Sequence, residues 1–176
     1  MQTLFLAFAN ICRFKTGPQD LPASNHLLIV AAVFSGIVNF IGYRTAFHGS
    51  TFLIIAVAFS DIVITAAVYI GIVYLNRKPE RVVQTLTAIL GTTALLSLLK
   101  LPIHLFAPDV ALQDASMQLL FFPIIIEVWM LAVIAWIIKN TLETSFGIGV
   151  FVSFVGHSIS KILLLSLYPN VLTLNP

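Results

Sequence analysis

The chain is poor in charge and nearly devoid of cysteine. Only 9% of its 176 residues are Asp, Glu, Lys or Arg, against about 25% in a typical water-soluble domain. With 59% hydrophobic residues and a mean hydropathy of +1.03, a soluble core of this size cannot hide the apolar surface. A net charge of +2, thinly spread, excludes a nucleic-acid footprint. The single Cys12 excludes an internal disulfide framework and a cysteine-based metal site. Missing too are a phosphate-binding Walker loop, the dinucleotide glycine fingerprint and a His-Glu-x-x-His zinc motif. Nor is there a recognisable pairing of nucleophile and base. Neither enzymatic activity nor a cofactor is expected. What the chain does have is long apolar runs, and these make it an integral membrane protein.

Five such runs, at 26–43, 51–75, 82–106, 117–138 and 146–168, approach the roughly 20 residues that cross a bilayer as a helix. Backbone groups in lipid must pair internally, so the runs should be helices, in an all-α, polytopic fold with one membrane domain over 1–176. Strand-length alternation of the barrel type is absent. Ahead of them, Met1, Leu4, Phe5, Phe8, Ile11 and Cys12 recur at helical spacing. That segment, 1–14, is too short to span. Its charges, Arg13 and Lys15, follow the apolar part, the reverse of a signal peptide. It is expected to be an interfacial amphipathic helix, followed by a hinge over 15–25.

Lysine and arginine orient the bundle. Arg13, Lys15, Arg77, Lys78, Arg81 and Lys139 fall on one side of a five-span arrangement and only Arg44 on the other. The expected topology therefore has a cytoplasmic N-terminus and a periplasmic C-terminus, in what looks like a bacterial inner membrane. Tyr43 and Tyr168 would anchor the outer interface, Tyr74 and Trp136 the inner one.

The informative residues are those that lipid disfavours. Asp61 lies in the second run, Lys100 and His104 in the third, Glu127 in the fourth, and His157 and Lys161 in the fifth. A charge at mid-bilayer costs about 2.5–3.5 kcal/mol on insertion scales, so these groups should face the bundle interior. Lys100 and His104 are four residues apart, as are His157 and Lys161, so each pair shares a helix face. Counted from the helix ends, both acids and both lysines occupy overlapping depths. Asp61–Lys100 and Glu127–Lys161 are the expected pairs, the swapped arrangement being equally allowed. Asn39 is a candidate interhelical hydrogen-bond donor. Pro102 and Pro123 would kink their helices beside the charged groups, as in the broken helices that line transport sites. Gly149, Ser153 and Gly156, with Ala56 and Ser60, offer small faces for close packing. His104 and His157 could join the acids around a metal, but two lysines compete, and no metal is expected.

The densest cluster of turn-formers is GPQDLPAS, 17–24. Gly17 and Pro18 would end the first helix. Asp20 or Ser24 would cap the first span with Pro22 in its first turn, leaving the other polar residue facing the cytoplasm. This stretch, the short first helix and five compact spans resemble bacterial members of the Yip family, five-helix proteins related to eukaryotic Rab/Ypt-interacting proteins. The local likeness rests on Gly17, Pro18, Asp20, Leu21 and Pro22; the long cytosolic region and Asp-Leu-Tyr-Gly-Pro motif of eukaryotic members are not present. The resemblance implies architecture and an organising or partner-binding role. The expected function is a non-enzymatic accessory, scaffold or assembly subunit, its surroundings the lipid bilayer and a membrane-protein partner or a second copy. The alternative is a small proton- or ion-coupled carrier using Asp61 and Glu127.

Overall fold

A computed structural model describes residues 2–46, 49–106 and 117–169, with side chains over 5–45, 49–102 and 121–169. The fold is all-helical. It contains α1 (Gln2–Cys12), α2 (Asn25–Ala46), α3 (Thr51–Leu75), α4 (Val82–Phe106), α5 (Met117–Leu142) and α6 (Phe146–Leu167). Helices α2 to α6 are each long and apolar enough to cross a membrane. Large side chains such as Phe52, Phe59, Phe151 and Leu75 lie exposed on their outer faces, as lipid-facing residues do. Short 3₁₀ turns at Pro18–Asp20 and Pro79–Arg81 lead into α2 and α4.

Local chemistry sets the helix starts. Ser50 and Ser145 cap α3 and α6 by accepting the N–H groups of Leu53 and Ile148 at 3.3 and 3.4 Å. Ser24 does the same for α2, accepting from Leu27 at 3.4 Å. Pro22 is not in the first turn of α2, as expected from sequence, because the Ser24 cap starts the helix at Asn25. Asp20 is not left over either. Its Oδ2 accepts the N–H of Gly17 at 2.8 Å and closes the 3₁₀ turn on itself. At the other end, α5 runs on to Leu142, past the expected 138, and Asn140 donates back to the carbonyl of Trp136 at 2.7 Å.

The spans close into a ring. α2 packs on α3, α3 on α6, α6 on α5, α5 on α4, and α4 again on α2, with α3 also touching α4 across the ring. α4 is the most enclosed, 56% buried along its span against 17% for α2. Small residues allow the closest approach. A Cβ on Gly149 would collide with the Ala135 backbone of α5, and one on Gly156 would lie 3.1 Å from Ile72 of α3.

The N-terminal helix is held on the flank of α4 and α5. Phe8 lies against Gly91, where a Cβ would strike its ring. Ile11 and Cys12 are buried. Trp129 donates its indole N–H to the Cys12 carbonyl at 3.0 Å, and Trp136 to that of Thr16 at 2.9 Å. Gln84 donates to the Leu21 carbonyl at 2.7 Å. These three side chains satisfy carbonyls that α1 and the hinge cannot pair themselves. Gly91 lies nine residues into α4, about 14 Å along its axis, so α1 is clamped well away from that helix's end.

Burial pushes the Cys12 thiol up to about 11, so thiolate is scarce at neutral pH. A maleimide should therefore label Cys12 slowly in the folded protein and rapidly after denaturation. Rapid labelling of the folded protein would mean that α1 is not docked as described.

Candidate functional site

Two charge clusters lie between the helices, the first more enclosed than the second. In the first, Asp61 on α3 accepts from Lys161 Nζ at 2.9 Å, Tyr43 OH at 3.0 Å and Asn39 Nδ2 at 3.2 Å. In the second, Glu127 on α5 binds Lys100 through one carboxylate oxygen and His157 Nε2 through the other, the latter at 3.2 Å. The expected pairing was thus the wrong one of two allowed arrangements. Ring order explains the outcome. α6 sits between α3 and α5, so Lys161 reaches α3 while His157, one turn earlier, reaches α5. Lys100 on α4 then faces α5.

The two clusters differ in enclosure: the Asp61 side chain is 8% exposed and that of Glu127 38%. Among the described residues, every fully buried side-chain nitrogen or oxygen has a hydrogen-bond partner. That is the condition under which buried charge is tolerated. Pro102 and Pro123 stand inside continuous helices, within four residues of Lys100 and Glu127 respectively. Each removes a backbone donor there. The side chain of His104 lies outside the described residues.

Two participants were not anticipated. The sequence points Tyr43 to the outer interface, and the structure turns its hydroxyl inward to Asp61; its position four residues after Asn39, on the same helix face, is the signal in the sequence for that contact. Tyr168 hydrogen-bonds Ser60 at 2.9 Å. Deeper in the bundle, Tyr69 donates to the Ser153 carbonyl at 3.4 Å, and Ser153 Oγ donates to the Leu131 carbonyl at 3.3 Å, joining α3, α6 and α5. Thr85 and Thr141 share a hydrogen bond of 2.9 Å between α4 and α5.

Beside the first cluster is a polar pocket of about 70 Å³. Asp61, Asn39, His157 and Lys161 line it with Ser35, Thr65, Thr93, Ser97 and Ser160. It reaches Tyr69, eight residues further along α3 than Asp61. A second, wholly different hollow lies on the outer surface between α2 and α3. It is an apolar groove of about 420 Å³ walled by Ala32, Gly36, Phe40, Ile55, Phe59 and neighbours. Among the described residues, no three metal-binding side chains converge.

At the end of the bundle where α3 and α5 finish, basic residues gather. Glu143 receives Lys78 and, at 2.5 Å, Arg81, whose guanidinium also donates to the carbonyls of Asn140 and Thr141 at 3.0 Å. Lys78 and Arg81 hold the Glu143 carboxyl below its ordinary range. Lys139 stacks 4.2 Å over the Trp136 ring that also holds the hinge. Phe14, Arg77 and Glu143, each just past a helix C-terminus, adopt left-handed backbone. They close those helices without glycine; Lys78 N–H, for example, returns to the Val73 carbonyl at 3.2 Å.

Compared with family models, curated proteins and solved structures, the chain matches none.

Proposed function

We propose that the chain is a non-enzymatic accessory, scaffold or assembly subunit of a membrane complex. On this reading it is a Yip-like protein of a bacterial inner membrane, with its N-terminus in the cytoplasm and its C-terminus in the periplasm. One observation carries the proposal. The two charge clusters share α6 and together hold all five spans: Asn39 and Tyr43 of α2, Asp61 of α3, Lys100 of α4, Glu127 of α5, and His157 and Lys161 of α6. The acids are engaged by partners within the chain rather than left open, which suits a body that keeps its shape for others to pack on. The alternative, a proton- or ion-coupled carrier, is favoured by the polar cavity at Asp61.

The test uses the lipid-facing groove, where α2 is least covered. In a Cys12→Ala background, Phe59→Cys places a crosslinker in the groove and Phe151→Cys places one on exposed α6. The expected result is a single stoichiometric adduct to one membrane protein, or to a second copy, from Phe59→Cys but not from Phe151→Cys. Equal, diffuse labelling from both sites would contradict the subunit reading.

A further inference from the structure

We infer that Arg13, Lys15 and Lys139, gathered about the Trp136 indole where the hinge after α1 meets α5, form a binding site for the headgroup of an anionic phospholipid. This goes beyond the subunit reading and uses no residue of the two charge clusters between the helices.

Three contacts bring the site together. Trp136 donates its indole N–H to the Thr16 carbonyl at 2.9 Å. The Phe14 ring meets the same indole edge to face, with the centroids 5.8 Å apart. The Lys139 ammonium lies over that indole, 4.2 Å from its centroid. Residues 13–16 therefore run past the ring that carries Lys139, and Arg13 and Lys15 flank the phenylalanine packed on it. The turn that does this is well defined. Phe14 adopts left-handed backbone, and the Lys15 N–H returns to the Asn10 carbonyl at 3.0 Å.

Charge is unevenly neutralised at this end of the bundle. Glu143, one turn beyond Lys139, is engaged by Lys78 and Arg81. Asp20, the acid nearest Arg13 and Lys15 along the chain, has its Oδ2 occupied by the Gly17 N–H. Arg13, Lys15 and Lys139 form no ion pair with any described residue. Arg13 and Lys15 are exposed and Lys139 is half-buried, so a phosphate can approach all three.

The surrounding apolar surface says which phosphate fits. Phe5 and Leu6 of α1 are exposed, and Phe8 of the same helix docks about 14 Å along α4, at Gly91. Such a placement sets the outer face of α1 among acyl chains. Trp136 and Lys139 lie six and three residues before the end of α5, the level at which indoles and ammonium groups meet lipid headgroups. A soluble phosphate would use the charges alone, whereas a phospholipid uses the apolar face as well. A zwitterionic headgroup brings its own cation to a site already rich in positive charge. An anionic one, such as phosphoglycerol, does not.

Native mass spectrometry of the full chain tests this, with dioleoyl phosphatidylglycerol and dioleoyl phosphatidylcholine supplied in equal amounts. Each basic side chain near an anionic headgroup is worth about fivefold in binding. The unmodified protein should therefore retain phosphatidylglycerol over phosphatidylcholine by at least about tenfold. Combining Arg13→Gln, Lys15→Gln and Lys139→Gln should abolish that preference. Arg44→Gln, which removes an exposed cation at the end of α2, should leave it unchanged. Excess inorganic phosphate should not displace the lipid. Equal retention of the two lipids by the unmodified protein would overturn the inference, and that comparison needs no variant to fold. So would an unchanged preference in the triple variant, an equal loss in Arg44→Gln, or displacement by inorganic phosphate. None of these outcomes depends on whether a partner protein exists.

Discussion

Asp61→Ala is expected to be among the most destabilising single substitutions in the chain, costing about 1–3 kcal/mol for each donor left without an acceptor inside the bundle. Three donors would lose their acceptor together: the Lys161 ammonium, the Tyr43 hydroxyl and the Asn39 amide. The lysine suffers least, since its side chain is 41% exposed and can slide its ammonium toward the membrane surface. The tyrosine and asparagine hydroxyl and amide have less freedom. Asp61→Asn keeps one acceptor oxygen and should cost distinctly less. Unfolding titrations in mixed micelles, followed by circular dichroism, would rank the two. Equal losses would mean that shape rather than hydrogen bonding is what Asp61 contributes.

Gly149→Ala should be the second large effect, a loss of about 1–3 kcal/mol as overpacking costs in other cores. The added methyl would run into the Ala135 carbonyl, which is backbone and cannot swing aside, with the Ala135 carbonyl carbon and Lys139 Cβ both 3.3 Å away. The whole α5–α6 contact would have to open. Gly147→Ala, half a turn earlier in the same helix, meets nothing within 4 Å. It should be neutral or stabilising by about 0.5–1 kcal/mol, because alanine restricts the unfolded chain and favours helix. Thermal midpoints of the two variants measured side by side make the comparison independent of detergent. A Gly149→Ala protein as stable as Gly147→Ala would show that α5 and α6 do not approach as closely as described.

The spans were readable because lipid imposes one simple demand, an apolar run of a set length, and α3 and α4 begin and end where that demand places them. Depth was readable for the same reason: rise per residue is constant, so Asp61, Lys100, Glu127 and Lys161 fall at compatible heights. Azimuth was not. Which lysine meets which acid depends on the order of helices around the ring, and that order is decided by contacts far apart in sequence, such as Ser60 on Tyr168 and Tyr69 on Ser153. Placing α6 between α3 and α5 sends two side chains of one face, His157 and Lys161, to different acids. The docking of α1 was hidden similarly. Nothing local marks Gly91 as a seat for Phe8, or the indoles of Trp129 and Trp136 as donors to carbonyls more than a hundred positions earlier. The hinge was half legible. Turn-formers announced it, but only the bond from Gly17 to Asp20 shows that its acidic group is used internally rather than offered outward.

The account rests most on the claim that the interior charges pair as Asp61 with Lys161 and Glu127 with Lys100, so that one body is made of five spans. Double-mutant cycles test it directly, using Asp61→Asn with Lys161→Gln in one cycle and Asp61→Asn with Lys100→Gln in the other, each read by unfolding free energy in the same lipid–detergent mixture. The prediction is a coupling of at least about 1 kcal/mol in the first cycle and additivity within about 0.5 kcal/mol in the second. Coupling between Asp61 and Lys100 with none between Asp61 and Lys161 would contradict the arrangement of the ring itself.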